Sequence, residues 1–218
     1  MVQLAISLVR HAESEANAGP NVICGQNIPN KVSALGKKQA QALGMFFKKE
    51  GVKFSGAYSS TAVRTQKTAK HCFSKMECKM ELFTDPQLLE RDAGDFAGLS
   101  RDIYKNDETL KKSLQTDNWN FIPGYVNKGE SQKQVAERMK KWIDCKVSEF
   151  GRSDKDQHII VFTHGLAIKC LLAELLDLER STVYQIPIDN ASITQLLYQA
   201  GEIKVSMVNN TDHLTSVT

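Results

Sequence analysis

Hydrophobic and polar positions alternate at the start of the chain. Residues 3–9 place Leu4, Ile6 and Leu8 on one side, which predicts a β-strand. The polar pair Arg10 and His11 then falls just beyond the strand's end. Residues 12–32 are polar and rich in glycine and proline, and this composition predicts a loop.

A helix follows this loop, since Ser33 is a good N-cap and apolar residues recur at helical spacing until Gly51. Residues 54–59 are predicted to form a short strand, and residues 61–73 a second long helix. The first part of the chain therefore reads β-α-β-α in order.

The second half repeats this alternation. Residues 158–163 form a continuous apolar run typical of a central parallel strand, and residues 165–176 behind it are predicted to be helical. Before that strand, a helix is predicted to begin after Ser131 and to turn one apolar side to the core. That side consists of Val135, Met139, Trp142, Ile143 and Phe150.

The end of the chain is predicted to be a hairpin of residues 192–198 and 202–208 around a Gln-Ala-Gly turn. Residues 85–129 are the least regular, and we expect them to form an inserted lid or wall. No linker or repeat divides the chain, so residues 1–218 are expected to form one domain. The predicted fold is α/β, a three-layer α/β/α sandwich with a mostly parallel central sheet.

Composition and charge narrow the classes of function. The chain has 41% hydrophobic residues, 24% charged residues and a net charge of +3, with no basic stripe of the kind that binds nucleic acid. No stretch reaches membrane length, and the first residues lack the features of a leader peptide. The five scattered cysteines favour reduced thiols, so we expect a cytoplasmic protein without membrane partners.

Three polar segments follow predicted strands, and ligands of parallel sheets bind at the carboxyl ends of their strands. Arg10 and His11, the segment ending at Arg64, and His164 each follow a predicted strand, so they are expected to meet at one edge of the sheet. Phosphoryl transfer needs an in-line nucleophile and cationic donors, and a neutral imidazole with two arginines supplies both. Glu90 is the candidate acid for the leaving group, because phosphate charge can keep a nearby carboxyl group protonated.

Four segments carry a resemblance to a known family. LVRHAESEAN (residues 8–17) is similar to the R-H-G-E-[ST]-x-x-N signature of the histidine phosphatase, or phosphoglycerate mutase-like, superfamily. SSTAVRTQKTA (59–69), LLERDAGDFAG (88–98) and VFTHG (161–165) resemble its other conserved segments, in the same order along the chain. The first segment departs from the signature at Ala12, where glycine is commoner, but no reacting group changes.

The resemblance implies a phosphoglycerate mutase-like fold and a role for each matching residue. His11 is similar to the nucleophile that becomes phosphorylated, and Glu90 to the proton donor. Arg10, Arg64 and His164 resemble the phosphate pocket. The residues expected to contact substrate are Asn17, Ser14, Gln26 and Gly165. A small phosphorylated substrate is expected, with no cofactor and no metal, and the oligomeric state stays open.

Two activities in this superfamily begin with a phosphohistidine. Water attacks it in the phosphatases and a second phosphoglycerate hydroxyl attacks it in the mutases, whose Trp-Arg-Arg element is missing here because Trp119 lies between Asn118 and Asn120. The segments 25–26, 188–194 and 209–214 also look like those of phosphatases in this superfamily. The preferred prediction is therefore hydrolysis. A cofactor-dependent phosphoglycerate mutase is the alternative, and an inactive scaffold that binds phosphorylated ligands is the third reading.

Overall fold

The computed structural model describes residues 3–19, 21–26 and 30–217. The predicted loop of residues 12–32 is therefore described only in part, and its two prolines, Pro20 and Pro29, lie outside the described residues. A short helix, α1 (Glu15–Ala18), occupies part of the same segment.

The described residues form a six-stranded sheet in the order β3-β2-β4-β1-β5-β6. Its strands are β1 (Leu4–Arg10), β2 (Gly56–Ser59), β3 (Leu82–Thr84), β4 (Gln157–Thr163), β5 (Ile193–Gln199) and β6 (Glu202–Asn210). The first four in space pair in parallel, whereas β5 runs antiparallel to both β1 and β6. The prediction of a mostly parallel sheet with a terminal hairpin is confirmed.

Helices cover both faces of this sheet. The longer ones are α2 (Ala34–Lys49), α3 (Val63–Met76), α6 (Gln132–Phe150) and α7 (Gly165–Leu175). Ile160 and Phe162 of β4 pack with α2 and α3, while Ile159 and Val161 pack with α6 and α7. Since successive side chains of a strand point to opposite faces, one buried strand links two cores and the architecture has three layers.

Local sequence signals explain where these helices begin. Ser33 accepts a hydrogen bond from the Gly36 amide at the start of α2, and Ser131 accepts one from the Gln134 amide at the start of α6. The Gln134 side-chain oxygen in turn accepts a hydrogen bond from the Ser131 amide, which completes a capping box. The apolar stripe predicted on α6 is buried from Val135 to Ile143, and Phe150 is half-buried.

The segment 85–129 is more regular than expected. It contains α4 (Ile103–Asn106) and α5 (Glu108–Asp117), and 3-10 turns at Pro86–Leu88 and Gly94–Phe96. Further 3-10 turns follow α7 at Arg180–Gln185 and β6 at Asp212–Leu214. In the described part of the chain, no helix is long and apolar enough to cross a membrane.

Candidate active site

The ends of the two central strands bring two histidines together. Arg10 and Thr163 are register partners in the parallel pair β1 and β4, so the residues that follow them leave the sheet side by side. The His11 amide donates to the Thr163 carbonyl at 2.9 Å. As a result the rings of His11 and His164 lie 5.3 Å apart, edge to face.

His11 is held as one defined neutral tautomer. Its Nδ1 atom lies 2.8 Å from the carbonyl oxygen of Ala12, and a carbonyl only accepts, so Nδ1 carries the proton. Burial lowers the pKa of His11 well below its usual value, and the charges of Arg64 and Arg10 lower it further, against the Ala12 carbonyl. The Nε2 atom therefore keeps its lone pair at neutral pH.

Two arginines approach this histidine from different elements. Arg10 ends β1 and donates from Nη1 to the Ile188 carbonyl at 2.7 Å, while Arg64 begins α3 and donates from Nη2 to the Gly25 carbonyl at 3.1 Å. Burial lowers the pKa of both guanidinium groups from the ordinary value, and the charge of Glu90 opposes this. In the described part of the chain, neither arginine forms an ion pair. Desolvated guanidinium groups in this position suit an anion.

His164 is completely buried and is held by a chain of hydroxyl groups. Its Nε2 atom lies 2.8 Å from Ser60 Oγ, which lies 2.8 Å from Thr65 Oγ1. Thr65 in turn donates to the Ala62 carbonyl at 2.8 Å. The Nδ1 atom of His164 has no hydrogen-bond partner in the described structure. The His164 ring, which lies against that of His11, thus has its Nδ1 atom available for a hydrogen bond to a ligand.

Glu90 lies at the N-terminus of α7, where backbone amide groups are free to donate. Its carboxylate accepts from the amides of Arg91 at 2.9 Å, Leu166 at 3.2 Å and Ala167 at 3.2 Å. These donors hold the Glu90 carboxyl group in one orientation beside the arginines. The carboxyl group is thus held at the wall of the same cavity.

Asn17 is oriented by its neighbours. Its Oδ1 atom accepts from the amide of Ser14 at 3.2 Å, from Ser14 Oγ at 3.0 Å and from Asn190 Nδ2 at 3.3 Å. Asn190 also donates to the His11 carbonyl at 3.0 Å. With its oxygen engaged, Asn17 is left with its amide nitrogen as the group for a ligand.

Gly165 and Gln26 have different surroundings. Gly165 borders the cavity, and a Cβ atom on it would lie 3.2 Å from Arg10 Nε, so a larger residue here would press on the Arg10 side chain. The Gln26 amide instead donates to the Glu90 carbonyl at 2.8 Å and to Glu130 Oε2 at 3.1 Å. Gln26 thus supports the segment that carries Glu90.

Among the described residues, the lining of a cavity of about 260 Å³ includes Arg10, His11, Ser14, Asn17, Arg64, Glu90 and Gly165, but neither His164 nor Gln26. Residues of segment 85–129, among them Tyr104 and Pro123, form one wall of it. Its lining carries five basic side chains and one acidic one, which favours an anionic ligand. They are Arg10, Arg64, Arg91, Arg101, Lys169 and Glu90.

The remaining histidines lie elsewhere. His158 bonds to Ser7 Oγ at 2.9 Å, His213 to the Ala191 carbonyl at 3.1 Å, and His71 sits on α3 beside lysines. Among the residues that the structure describes, no three His, Cys, Asp or Glu side chains group in a way that could hold a metal ion.

Sequence reasoning missed several residues that support the site. Ser60 lies in the motif of residues 59–69 and Asn190 in the segment 188–194, but neither pattern assigns these residues a role. Glu130 and Arg138 carried no local signal, because a charged residue before or on a helix is ordinarily exposed. Their importance comes only from tertiary hydrogen bonds.

Comparison with known proteins places this geometry in context. A family model described as the histidine phosphatase superfamily (branch 1) matches residues 6–211. The 2,3-bisphosphoglycerate-dependent phosphoglycerate mutase of Bartonella henselae is 37% identical over 175 residues, covering 80% of this chain and 82% of that protein.

Solved structures share the fold. The mycobacterial glucosyl-3-phosphoglycerate phosphatase has a TM-score of 0.79 and 24% identity, covering 95% of this chain and 99% of that one. The alpha-ribazole phosphatase from Shigella flexneri has a TM-score of 0.78 and 23% identity, covering 95% and 96%. The predicted phosphoglycerate mutase-like architecture is therefore confirmed.

Proposed function

The chain belongs to the histidine phosphatase superfamily, and from this membership we propose that it hydrolyses small phosphorylated metabolites through a phosphohistidine on His11. The observation that carries the proposal is the bond from His11 Nδ1 to the Ala12 carbonyl. It leaves Nε2 as a neutral nucleophile in a buried site with Arg10, Arg64 and His164.

The first half-reaction transfers the phosphoryl group to the protein. Arg10, Arg64 and His164 bind the equatorial oxygens, His11 Nε2 attacks phosphorus, and the bond to the ester oxygen breaks. Glu90 gives its proton to the departing alkoxide. The Asn17 amide nitrogen adds a neutral donor at the rim of the pocket.

The second half-reaction returns the histidine. Water attacks the phosphohistidine in line, Glu90 accepts a proton from it, and the P–N bond breaks to release inorganic phosphate. The same carboxyl group thus acts first as acid and then as base, as microscopic reversibility requires. The basic lining supports this proposal, because it matches the charge of a phosphomonoester.

A rapid-quench experiment tests the nucleophile. Phosphate from labelled p-nitrophenyl phosphate should appear on the chain in an acid-labile, alkali-stable form during turnover. His11→Ala should abolish this label and lower kcat by roughly 10³-fold or more. His158→Gln alters a half-buried histidine away from the cavity and serves as the matched control, which should keep both the label and kcat. Full labelling of His11→Ala would refute the assignment.

A mutase is the second candidate, because the 37% identical relative is named as a bisphosphoglycerate-dependent mutase. Trp119, the tryptophan compared above with the Trp-Arg-Arg element of the mutases, is buried. The guanidinium group of Arg180 lies over its ring, 4.5 Å from the ring centre. The two activities differ in product. With 3-phosphoglycerate, phosphate release without added bisphosphoglycerate supports hydrolysis, whereas isomerisation that begins only with bisphosphoglycerate supports the mutase.

An inactive phospho-ligand-binding scaffold is the third candidate. Titration with inorganic phosphate together with the turnover assay separates it from an enzyme, because a scaffold would bind phosphate without releasing any from an ester. Retention of all five charged or titratable groups, Arg10, His11, Arg64, Glu90 and His164, supports the enzyme.

A further inference from the structure

A partly buried ion pair between Glu130 and Arg138 is hydrogen-bonded to the segment that carries Glu90. Glu130 directly precedes the N-cap of α6, and Arg138 lies two turns into that helix. Arg138 Nε donates to Glu130 Oε1 at 2.9 Å and Arg138 Nη2 to Glu130 Oε2 at 3.0 Å, so the pair is bidentate. Their side chains are only 16% and 24% exposed.

Arg138 also bonds to the backbone around Glu90. Its Nη1 donates to the Gln87 carbonyl at 2.6 Å, and its Nη2 donates to the carbonyl of Glu90 itself at 3.1 Å. The Gln26 amide donates to that same Glu90 carbonyl at 2.8 Å. Two side chains therefore donate to the backbone carbonyl of Glu90.

Glu130 holds the residues that follow. Its Oε2 accepts from the Asp92 amide at 3.1 Å, and its backbone amide donates to the Asp92 carbonyl at 2.9 Å. Its carbonyl accepts from Arg91 Nε at 2.7 Å. A Cβ atom at Gly129 would lie 2.2 Å from the Asp92 carbonyl oxygen, so the two segments are in close contact.

We propose that Glu130 and Arg138 are positioning residues that fix the carboxyl group of Glu90 for proton transfer to the leaving group. The proposal rests on the proposed role of Glu90 as the acid. Within the described part of the chain, the cavity lining includes Glu90 but neither residue of the pair. Glu130 and Arg138 therefore act through Glu90.

The physical reason lies in the geometry of the two attachments. The α7 amides orient the Glu90 carboxyl group, while Arg138 holds its backbone carbonyl. Proton transfer demands hydrogen-bond distance between acid and leaving oxygen, and a displacement of about 1 Å can cost about 100-fold in rate. Phosphate binding by the arginines does not depend on this distance.

The test compares aryl phosphates whose leaving groups differ in basicity, from p-nitrophenyl phosphate to phenyl phosphate. The measured quantity is kcat/KM, which reports steps up to release of the phenol. Arg138→Lys and the near-isosteric Glu130→Gln should lower kcat/KM for phenyl phosphate by roughly 10- to 100-fold. They should leave p-nitrophenyl phosphate within about 3-fold, because p-nitrophenolate departs with little need of an acid.

Asp144→Asn is the matched control, since it breaks the exposed Lys140–Asp144 ion pair on the same helix. It should change neither substrate's kcat/KM. A second control adds Arg138→Lys to Glu90→Gln. If Arg138 acts through Glu90, the double variant loses no more on phenyl phosphate than Glu90→Gln alone.

The outcomes separate the two claims. If Glu90→Gln loses equal activity on both esters, the acid role fails and the positioning proposal falls with it. If Glu90→Gln shows the leaving-group dependence but neither Arg138→Lys nor Glu130→Gln does, the positioning proposal alone is overturned. The positioning proposal is also overturned if Arg138→Lys lowers kcat/KM for phenyl phosphate by the same factor in Glu90→Gln as it does in the parent. Thermal unfolding midpoints identify a variant that is simply unfolded, and the other variant of the pair then decides.

Discussion

Ser60 Oγ lies 2.8 Å from Nε2 of His164, and both side chains are fully buried. Thr65 gives its hydroxyl proton to a carbonyl, so the Ser60 hydroxyl can donate either to Thr65 or to His164. When it donates to His164, the proton of the imidazole sits on Nδ1 and is free for an anion. A phosphate in the cavity would favour this arrangement.

Ser60→Ala should therefore weaken the pocket without removing a charged group. His164 loses the partner of Nε2 and can no longer be held in the tautomer that donates from Nδ1. We expect kcat/KM for p-nitrophenyl phosphate to fall by roughly 10- to 100-fold, with weaker inhibition by inorganic phosphate. Thr65→Ser keeps the hydroxyl chain and should stay near the parent. Equal rates for Ser60→Ala and the parent would contradict this.

Gly165→Ala should displace the guanidinium group of Arg10. The added methyl group would sit 3.2 Å from Arg10 Nε and 3.3 Å from its Cδ, closer than ordinary contact. We expect the inhibition constant of vanadate to rise by about 10-fold or more, because one cationic donor leaves its place. Helix α7 should remain formed, since alanine favours helix. Unchanged vanadate binding would show that Arg10 can adjust at no cost.

Acidification should destabilise the protein through two half-buried histidines, His158 and His213. Burial lowers the pKa of both His158 and His213 to about 4, so they stay neutral in the folded chain while the unfolded chain takes up protons near pH 6.5. The free energy of unfolding therefore decreases as the pH falls from about 6.5 toward 4. At pH 5 the loss is at most about 2 kcal/mol per histidine.

Urea unfolding of the parent and His158→Gln at pH 7 and pH 5 checks this expectation. Glutamine can still bond to Ser7 but does not titrate, so the variant should lose less stability between the two pH values. The same loss in both proteins would show that His158 does not contribute to the pH dependence.

Asp95→Ala should loosen the wall of the cavity. The Asp95 carboxylate accepts from the amides of Tyr125 at 2.9 Å, Val126 at 3.0 Å and Asn127 at 3.3 Å, and so folds the turn beside Pro123. We expect faster chymotrypsin cleavage after the exposed Tyr125 and a raised KM. Asp102→Ala, on an exposed carboxylate of the same segment, is the control. Equal cleavage rates would mean that other contacts hold the turn.

The fold was largely predictable because its main elements carry strong local patterns. The runs that became β1 and β4, and the capped, striped helices α2 and α6, were read directly from periodicity. Strand β3 was missed, since it has three residues, a single neighbouring strand and an exposed Phe83. Helix α5 was missed because its only buried residue is Leu110, which gives no apolar stripe.

The candidate site residues could be predicted where they lie in short local motifs. The structure places Arg10, His11, Arg64 and Glu90 in the lining of one cavity, and the ring of His164 lies against that of His11. Their catalytic roles stay predictions. The partners that orient them were not foreseen, because Asn190 lies 179 residues from the His11 carbonyl that it contacts.

Strand β1 lies between β4 and β5, which both come late in the chain. During synthesis the first strand must therefore wait for neighbours that emerge more than 150 residues later. A nascent chain that ends before residue 190 would have the His11 imidazole, but it would lack β5 beside β1 and the Asn190 hydrogen bond to the His11 carbonyl. Activity should therefore require β5, and truncations that remove this strand should be inactive.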